Sequence, residues 1–249
     1  MRNALHNSLR LSALAGLALL AGCHHRQQQV YAPPPPEYRS HSGHNDTARE
    51  FQDPSSDHVP SSVSGRPLSV QVGLSSWYGP PYNNRRGANG EIFDQNAMTA
   101  AHNTLPMGSI IRVTNLATGQ SAIVKITDRG PFVHGRILDL SLAAAKATGV
   151  YRAGVAKVKI EVFSEPSTTS PGGRWCVQIG AFSSQGNANK LKDELMHRYS
   201  YAKVIEFPGP TGHWVRVNTP QGDKTRAVQI ADSIRPKESG AEAYLVRLD

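Results

Sequence analysis

Alternation of apolar and polar residues predicts a β-rich region in the middle of the chain. Strands with this period of two are expected at 68–78, 110–113, 122–127 and 155–163. The segment 117–120 joins the middle two strands as a hairpin. Ser141 is a suitable N-cap for one short Ala-rich helix that stops at Gly149. Many short strands with one helix predict a small closed barrel, which removes exposed strand edges.

A second pattern follows a linker rich in Ser, Thr, Pro and Gly. Strand-like and helix-like segments occur in the order β-α-β-β-α-β, at 174–182, 187–199, 201–207, 213–217, 225–234 and 244–248. This order is typical of an open α/β sandwich with both helices on one face of the sheet. In its first strand Gln178 is expected to face opposite to Val177 and Ile179. Cys176 lies in the same alternating strand, so we expect a buried structural thiol and no internal disulfide.

The first residues predict a lipoprotein leader. Arg2 and Arg10 precede an apolar run at 11–20, which has the length of a signal-peptide core and is too short to span a membrane comfortably. The run ends in the sequence LAGC, which resembles the bacterial lipobox, where the cysteine, here Cys23, is lipidated. A plain signal peptide with a chance cysteine is the alternative. His24 follows Cys23 in place of an aspartate, which by analogy indicates the outer membrane.

The segment after the leader, 23–67, has the composition of a tether. It is rich in Gln, Pro, Ser, His and Asp and lacks the hydrophobic periodicity that a packed segment needs. Its histidines are irregularly spaced and have no cysteine or carboxylate cluster beside them, so no metal site is predicted. The net charge of +8 favours an anionic partner. Because the basic residues are scattered, without a basic helix interleaved with aromatic residues, nucleic acid is not the expected partner.

Three titratable residues of the barrel region lie at turns or strand ends: Glu91, His102 and Asp128. Reactive groups on loops between scaffold strands are the usual layout of an active site. They belong to the segments ANGEIFD (88–94), MTAAHNTLPMG (98–108), ITDRGPF (126–132) and ILDLS (137–141). In this order the segments resemble the catalytic domain of the rare lipoprotein A family, the septal lytic transglycosylases. The resemblance covers 69–163 and implies a double-psi β-barrel related to expansins and some endoglucanases.

The resemblance maps Asp128 onto the catalytic acid of the family, and Glu91 and His102 onto other residues of its site. Glycosidic cleavage needs a proton for the leaving oxygen and support for an oxocarbenium-like carbon. A lytic transglycosylase then lets the 6-hydroxyl of N-acetylmuramic acid attack its own C1. We expect Asp128 to donate the proton while Glu91 and His102 position sugar and stabilise charge. Arg129 would lower the pKa of its neighbour, so it must point away, or Glu91 is the acid.

The barrel region holds further candidates and one departure from the family. Loop 80–87 is atypical, and Gly87 stands where the family has a threonine, which leaves the sugar contacts of this loop open. Trp77 and Tyr78 either line a sugar groove or belong to the core. Asp139 also matches the family and is a candidate substrate-binding residue. Its carboxylate either hydrogen-bonds the neighbouring loop or caps the helix that starts at Ser141.

Two segments of the C-terminal pattern, VQIGAF (177–182) and HWVRV (213–217), resemble the SPOR domain. SPOR domains bind septal peptidoglycan glycans stripped of stem peptides, so the resemblance implies a glycan-binding sheet face. Gln178, Trp214 and Arg216 are the candidate sugar contacts, with core packing as the alternative for Trp214. RNA-binding domains share this strand order, but the aromatic motif that stacks RNA bases is missing.

The chain is therefore expected to be mostly β, with a signal peptide (1–22), a disordered tether (23–67), a double-psi β-barrel (68–163), a linker (164–173) and a small α+β SPOR domain (174–249). The predicted function is lytic cleavage of β-1,4 bonds in peptide-free peptidoglycan strands at the division septum, by an outer-membrane-anchored enzyme without a cofactor. Its partners would be the glycan and, through lipid on Cys23, the membrane. Two alternatives are an expansin-like lipoprotein that binds the wall without catalysis, and hydrolysis by water.

Overall fold

A computed structural model describes residues 59–80, 82–166, 172–209 and 211–249. The predicted leader, Cys23 and most of the tether lie outside the described residues. Within the described ranges, none of the helices has the length and apolar composition needed to cross a membrane.

Six strands of the first domain close into a barrel in the order β1-β5-β2-β4-β3-β6. The strands are β1 (Ser69–Trp77), β2 (Thr99–Ala101), β3 (Ile110–Asn115), β4 (Ser121–Asp128), β5 (Arg136–Leu140) and β6 (Ala156–Ser164). Their inward side chains form one core, in which Ile111, Val113, Val124 and Ile126 are completely buried. The closed barrel confirms the fold expected for this region.

Pairing between distant strands closes the barrel. β1 runs parallel to β5 and antiparallel to β6, so the first strand of the domain joins its two last strands. β3 and β4 form the predicted antiparallel hairpin, and Gly119 in its turn has φ 74°, a conformation that favours glycine. The three-residue β2 pairs parallel with β4 and antiparallel with β5, which brings Ala101 beside Asp128 and Asp139.

Two short helices, α1 (Leu142–Ala147) and α2 (Val150–Ala153), lie between β5 and β6. The Ser141 hydroxyl accepts a hydrogen bond from the Ala144 backbone N–H at 3.2 Å, as predicted for an N-cap. α1 ends before Gly149, which has φ 71°. Ala144 and Val150 are completely buried, so the helices complete the barrel core.

The second domain is a four-stranded antiparallel sheet in the order β10-β7-β9-β8. Its strands are β7 (Trp175–Phe182), β8 (Lys203–Gly209), β9 (Gly212–Asn218) and β10 (Glu242–Arg247), and its helices are α3 (Gln185–Arg198) and α4 (Lys224–Ser233). Val177, Ile179 and Val215 are buried in a core shared with both helices. The predicted β-α-β-β-α-β order is confirmed, and the opposite sheet face carries Gln178 and Arg216. Cys176 is buried and unpaired, and burial raises the pKa of its thiol to about 11.

Candidate functional site

A groove of about 630 Å³ lies between the barrel and the sheet of the second domain. The barrel contributes Asp128, Asp139 and the ring of Tyr78, and the second domain contributes Gln178 and Arg216. Six of the residues proposed from the sequence, these five and Trp214, thus line one space. Concave sites with a few convergent polar groups are where ligands usually bind.

Asp128 is placed by the end of β4, where the chain turns at Gly130. Its Oδ1 accepts hydrogen bonds from the backbone N–H groups of Ala88 at 2.9 Å and Arg129 at 2.8 Å. Burial raises the pKa of this carboxyl above its ordinary value, against the opposing effects of the two backbone donors and the Arg129 charge. A carboxyl with a raised pKa at the wall of a groove has the property that a proton donor needs.

The Arg129 side chain points away from Asp128. Its guanidinium donates to four backbone oxygens, those of His102 (2.9 Å), Leu105 (2.7 Å), Arg247 (2.6 Å) and Asp249 (2.7 Å). The orientation that the sequence argument required is therefore present. The same side chain connects the barrel to the last strand of the second domain.

Glu91 lies at an exposed position on the 87–94 turn. Its Oε2 accepts a hydrogen bond from Asn89 Nδ2 at 2.6 Å, and its backbone N–H donates to Asn89 Oδ1. Glu91 and Asp128 line the same smaller cavity of about 170 Å³. The two carboxyl groups therefore flank one space, with Asp128 partly buried and Glu91 exposed.

Gly87 lies directly against the Asp128 carboxyl. A Cβ atom at this position would be 3.7 Å from the Asp128 Cγ and 3.3 Å from the Asn89 Oδ1. Because the chain has glycine here, Asp128 stays open from the side of the atypical 80–87 loop. Tyr82, Arg85 and Arg86 of that loop line the groove.

The His102 ring is buried, with 3% of the residue exposed, and hydrogen-bonds to protein groups. Its Nδ1 accepts from the backbone N–H groups of Thr104 and Leu105, both at 3.1 Å, and its Nε2 lies 3.3 Å from Gln71 Oε1. Burial, and secondarily the Arg129 charge, lowers its pKa to about 4. The ring is thus neutral at neutral pH, with its proton on Nε2. The His102 backbone N–H donates to the Asp128 carbonyl, which joins this turn to the acid.

Trp77 and Tyr78 point to different sides of β1, as neighbours in a strand do. The Trp77 ring packs against the barrel core and lies 5.0 Å from the Tyr151 ring. The Tyr78 ring stacks on Phe93 at 4.4 Å and lines the groove. Burial, followed by the charges of Asp128 and Asp139, raises the pKa of the Tyr78 hydroxyl.

Asp139 is held within β5. The Ser76 hydroxyl donates to its Oδ1 at 2.7 Å, and Arg136 Nη2 lies 3.5 Å from its Oδ2. Burial raises the pKa of Asp139, while Arg136 and then Ser76 oppose the shift. Arg136 was not among the sequence-based candidates, although its position three residues before Asp139 was a usable signal.

The proposed contacts of the second domain meet on its free sheet face. Arg216 Nη2 donates to Gln178 Oε1 at 3.0 Å, and the guanidinium lies over the Phe207 ring at 4.9 Å. Trp214 is buried, with its ring 5.1 Å from that of Phe132 in the barrel. Trp214 therefore borders the groove and also packs between the domains, and its contact with sugar stays a prediction.

Comparisons with known proteins agree with this architecture. Residues 70–160 match the family described as lytic transglycolase, and residues 171–247 match the SPOR domain. A probable endolytic peptidoglycan transglycosylase RlpA from Synechocystis is 54% identical over 93 residues, 37% of this chain and 29% of that protein. An endolytic peptidoglycan transglycosylase RlpA from Campylobacter jejuni is 35% identical over 164 residues, 56% of this chain and 60% of that protein. An endolytic peptidoglycan transglycosylase RlpA from Pseudomonas aeruginosa is 38% identical over 161 residues, which are 64% of this chain and 47% of that protein. The matches thus span between 29% and 60% of these relatives.

Proposed function

We propose that this chain, a member of the rare lipoprotein A family with a double-psi β-barrel and a SPOR domain, is an endolytic peptidoglycan transglycosylase. The observation that carries the proposal is the Asp128 carboxyl, which is partly buried at a strand end, has a raised pKa and opens onto a groove. The proteins named as endolytic transglycosylases among its relatives add independent support.

Asp128 acts first as the acid and then as the base. Both backbone donors bind its Oδ1, so Oδ2 carries the proton that goes to the glycosidic oxygen. The bond between this oxygen and C1 of N-acetylmuramic acid breaks, and N-acetylglucosamine leaves with a free 4-hydroxyl. The muramyl 6-hydroxyl then bonds to C1 and returns its proton to Asp128. The product carries a 1,6-anhydro end, and no water is consumed.

The other barrel residues support this reaction in different ways. Glu91 at the rim orients sugar and stabilises positive charge near C1, as a second carboxylate does in glycoside cleavage. Tyr78 offers an aromatic ring against an apolar sugar face. Asp139, fixed by Ser76, hydrogen-bonds sugar hydroxyls. His102 has a positioning role, because its ring binds two backbone N–H groups of the turn that contacts the Asp128 backbone.

In this proposal the second domain and the leader direct the reaction to the cell envelope. Gln178, Trp214 and Arg216 hold peptide-free strands, which directs the enzyme to the division septum. A lipid on Cys23 anchors the chain to the outer membrane, and the tether gives the barrel reach toward the wall. Linking a binding domain to a catalytic domain raises the effective concentration of substrate.

Mass spectrometry of the products tests the proposal. The full chain in detergent is incubated with glycan strands from which an amidase has removed the stem peptides. We expect 1,6-anhydro-N-acetylmuramic ends, lost in Asp128→Asn and retained in Asp193→Asn, a matched change on the exposed side of α3. Glu91→Gln decides between the two acids, because loss of all product in this variant alone would transfer the acid role to Glu91.

Two other results would replace this function. Products with reducing ends would identify a hydrolase that uses water. Glycan binding without any product would identify an expansin-like wall-binding lipoprotein, the second candidate, which would require the 80–87 loop to block the groove.

A further inference from the structure

The second domain is in direct contact with the catalytic end of the barrel. Arg129, the residue after the proposed acid, binds the backbone oxygens of Arg247 and Asp249. The Arg247 N–H in turn donates to the Asn103 carbonyl at 2.9 Å. The Phe132 ring packs against Trp214 at 5.1 Å and Tyr244 at 5.5 Å. Hydrogen bonds and ring contacts thus fix the sheet beside Asp128.

The space between the two domains has a pronounced positive charge. Its lining includes six arginines and only two carboxyl side chains: Arg85, Arg86, Arg129, Arg136, Arg216, Arg247, Asp128 and Asp139. A cleft lined mainly by one sign of charge concentrates ligands of the opposite sign. An anionic polymer is therefore the favoured occupant.

Two of these arginines, one from each domain, have an unused donor. Among the described residues, the Nε of Arg136 and the Nε of Arg216 are buried without a hydrogen-bond partner. Buried N–H groups are nearly always paired in folded proteins, and guanidinium groups bind carboxylates in particular. Arg136 comes from β5 of the barrel, and Arg216 comes from β9 of the sheet, so the two donors belong to opposite walls.

We propose that the sheet of the second domain is the second wall of the catalytic groove, and that Arg136 and Arg216 bind free lactyl carboxylates of the same glycan strand during cleavage. This inference rests on the proposed function. A muramic residue without a stem peptide has a free carboxylate, whereas a stem peptide converts that carboxylate into a neutral amide. The two arginines therefore determine the preference for peptide-free strands at the cleavage step itself.

The test uses a short substrate. A peptide-free tetrasaccharide with free lactyl carboxylates is compared with the same tetrasaccharide in which they are methylamides. In the full chain, Arg136→Gln and Arg216→Gln are each expected to lower kcat/KM for the acid form by about tenfold, the size expected for a lost hydrogen bond to a charged group. Each change should lower kcat/KM for the methylamide form by a clearly smaller factor, because Arg136 also pairs with Asp139 and Arg216 also donates to Gln178. Arg226→Gln on the exposed side of α4 is the matched control and should equal the wild type on both.

A short substrate separates a shared groove from simple tethering. If the second domain only captures long strands at a distance, Arg216→Gln will reduce cleavage of long strands and leave the tetrasaccharide unchanged, which would overturn the inference while the transglycosylase function stands. Equal losses on the acid and methylamide forms would also overturn it, since carboxylate recognition would be absent. Arg216→Lys, which keeps the charge, should retain part of the preference for the acid form.

A binding measurement tests the shared groove even if the proposed transglycosylase function fails. If the wild type makes no anhydro product from any strand, calorimetric binding of the acid tetrasaccharide to the Asp128→Asn chain still measures the groove. Weaker binding after Arg136→Gln and after Arg216→Gln would support the shared site. Unchanged binding in both would refute it.

Discussion

The buried His102 makes the stability of the barrel dependent on pH in a defined window. Its pKa in the folded chain is about 4, against an ordinary value of 6.5, because the ring is buried. Below pH 6.5 the unfolded chain binds a proton on this ring that the folded chain does not bind, so stability falls as the pH decreases. At pH values well below 4 this titration lowers the free energy of unfolding by about 3 kcal/mol in total. About 2.5 kcal/mol of this decrease has occurred by pH 4.5. Above pH 7 the ring is neutral in both states and contributes no pH dependence.

The difference between wild type and His102→Gln isolates this effect. His102→Gln removes the acceptor of two backbone N–H groups, which costs about 1–3 kcal/mol at pH 7. Urea unfolding at pH 7 and pH 4.5 should show that this cost nearly disappears at the lower pH, because the wild type alone loses the titration contribution. Leu105→Ala, a buried change in the same turn, is the control and should keep its cost at both values. A cost of His102→Gln that is the same at both pH values would refute the reasoning.

Three further changes test other parts of the structure. Arg129→Met removes a positive charge that lowers the pKa of Asp128, so the basic limb of the pH–rate profile should move to higher pH; an unmoved limb would contradict the role of Asp128. Cys176, with a pKa of about 11, should react with a thiol reagent at pH 8 only in denaturant when measured in a Cys23→Ser chain. Ser141→Ala removes the cap of α1 and a 2.7 Å hydrogen bond to the Ala97 carbonyl, and should cost about 1–2 kcal/mol in urea unfolding.

Local sequence patterns located most strands, but they could not predict which distant strands pair with each other. Period-two alternation located β3 and β4, and the Ser141 cap located α1. The three residues of β2 are too few to show a period, and their strand geometry depends on pairing with β4 and β5. Closure of the barrel likewise depends on β1 meeting residues more than sixty positions later.

In the candidate site too, neighbouring residues determine some features, and contacts with residues far along the chain determine others. The turn at Gly130 was enough to place Asp128 at a strand end, but the direction of Arg129 depends on backbone oxygens 118 and 120 residues later. His102 could be recognised as a candidate, whereas the burial of its ring follows from the turn that supplies two N–H donors. The sequence left open whether Trp77 and Tyr78 line a groove or belong to the core, and the structure places Tyr78 at the groove and packs Trp77 against the core.

The order of strands in the second sheet limits how another polypeptide could extend it. The barrel is closed, so among the described strands only β8 and β10 have an outer side. The outer side of β10 is occupied where the Arg247 N–H binds the Asn103 carbonyl. β8 is left as the place where a foreign strand could add, and Pro208 within it has no backbone N–H to offer. Lys203, exposed at the start of β8, adds a charge that discourages such pairing. The described strands are thus protected against sheet-to-sheet association on nearly every side.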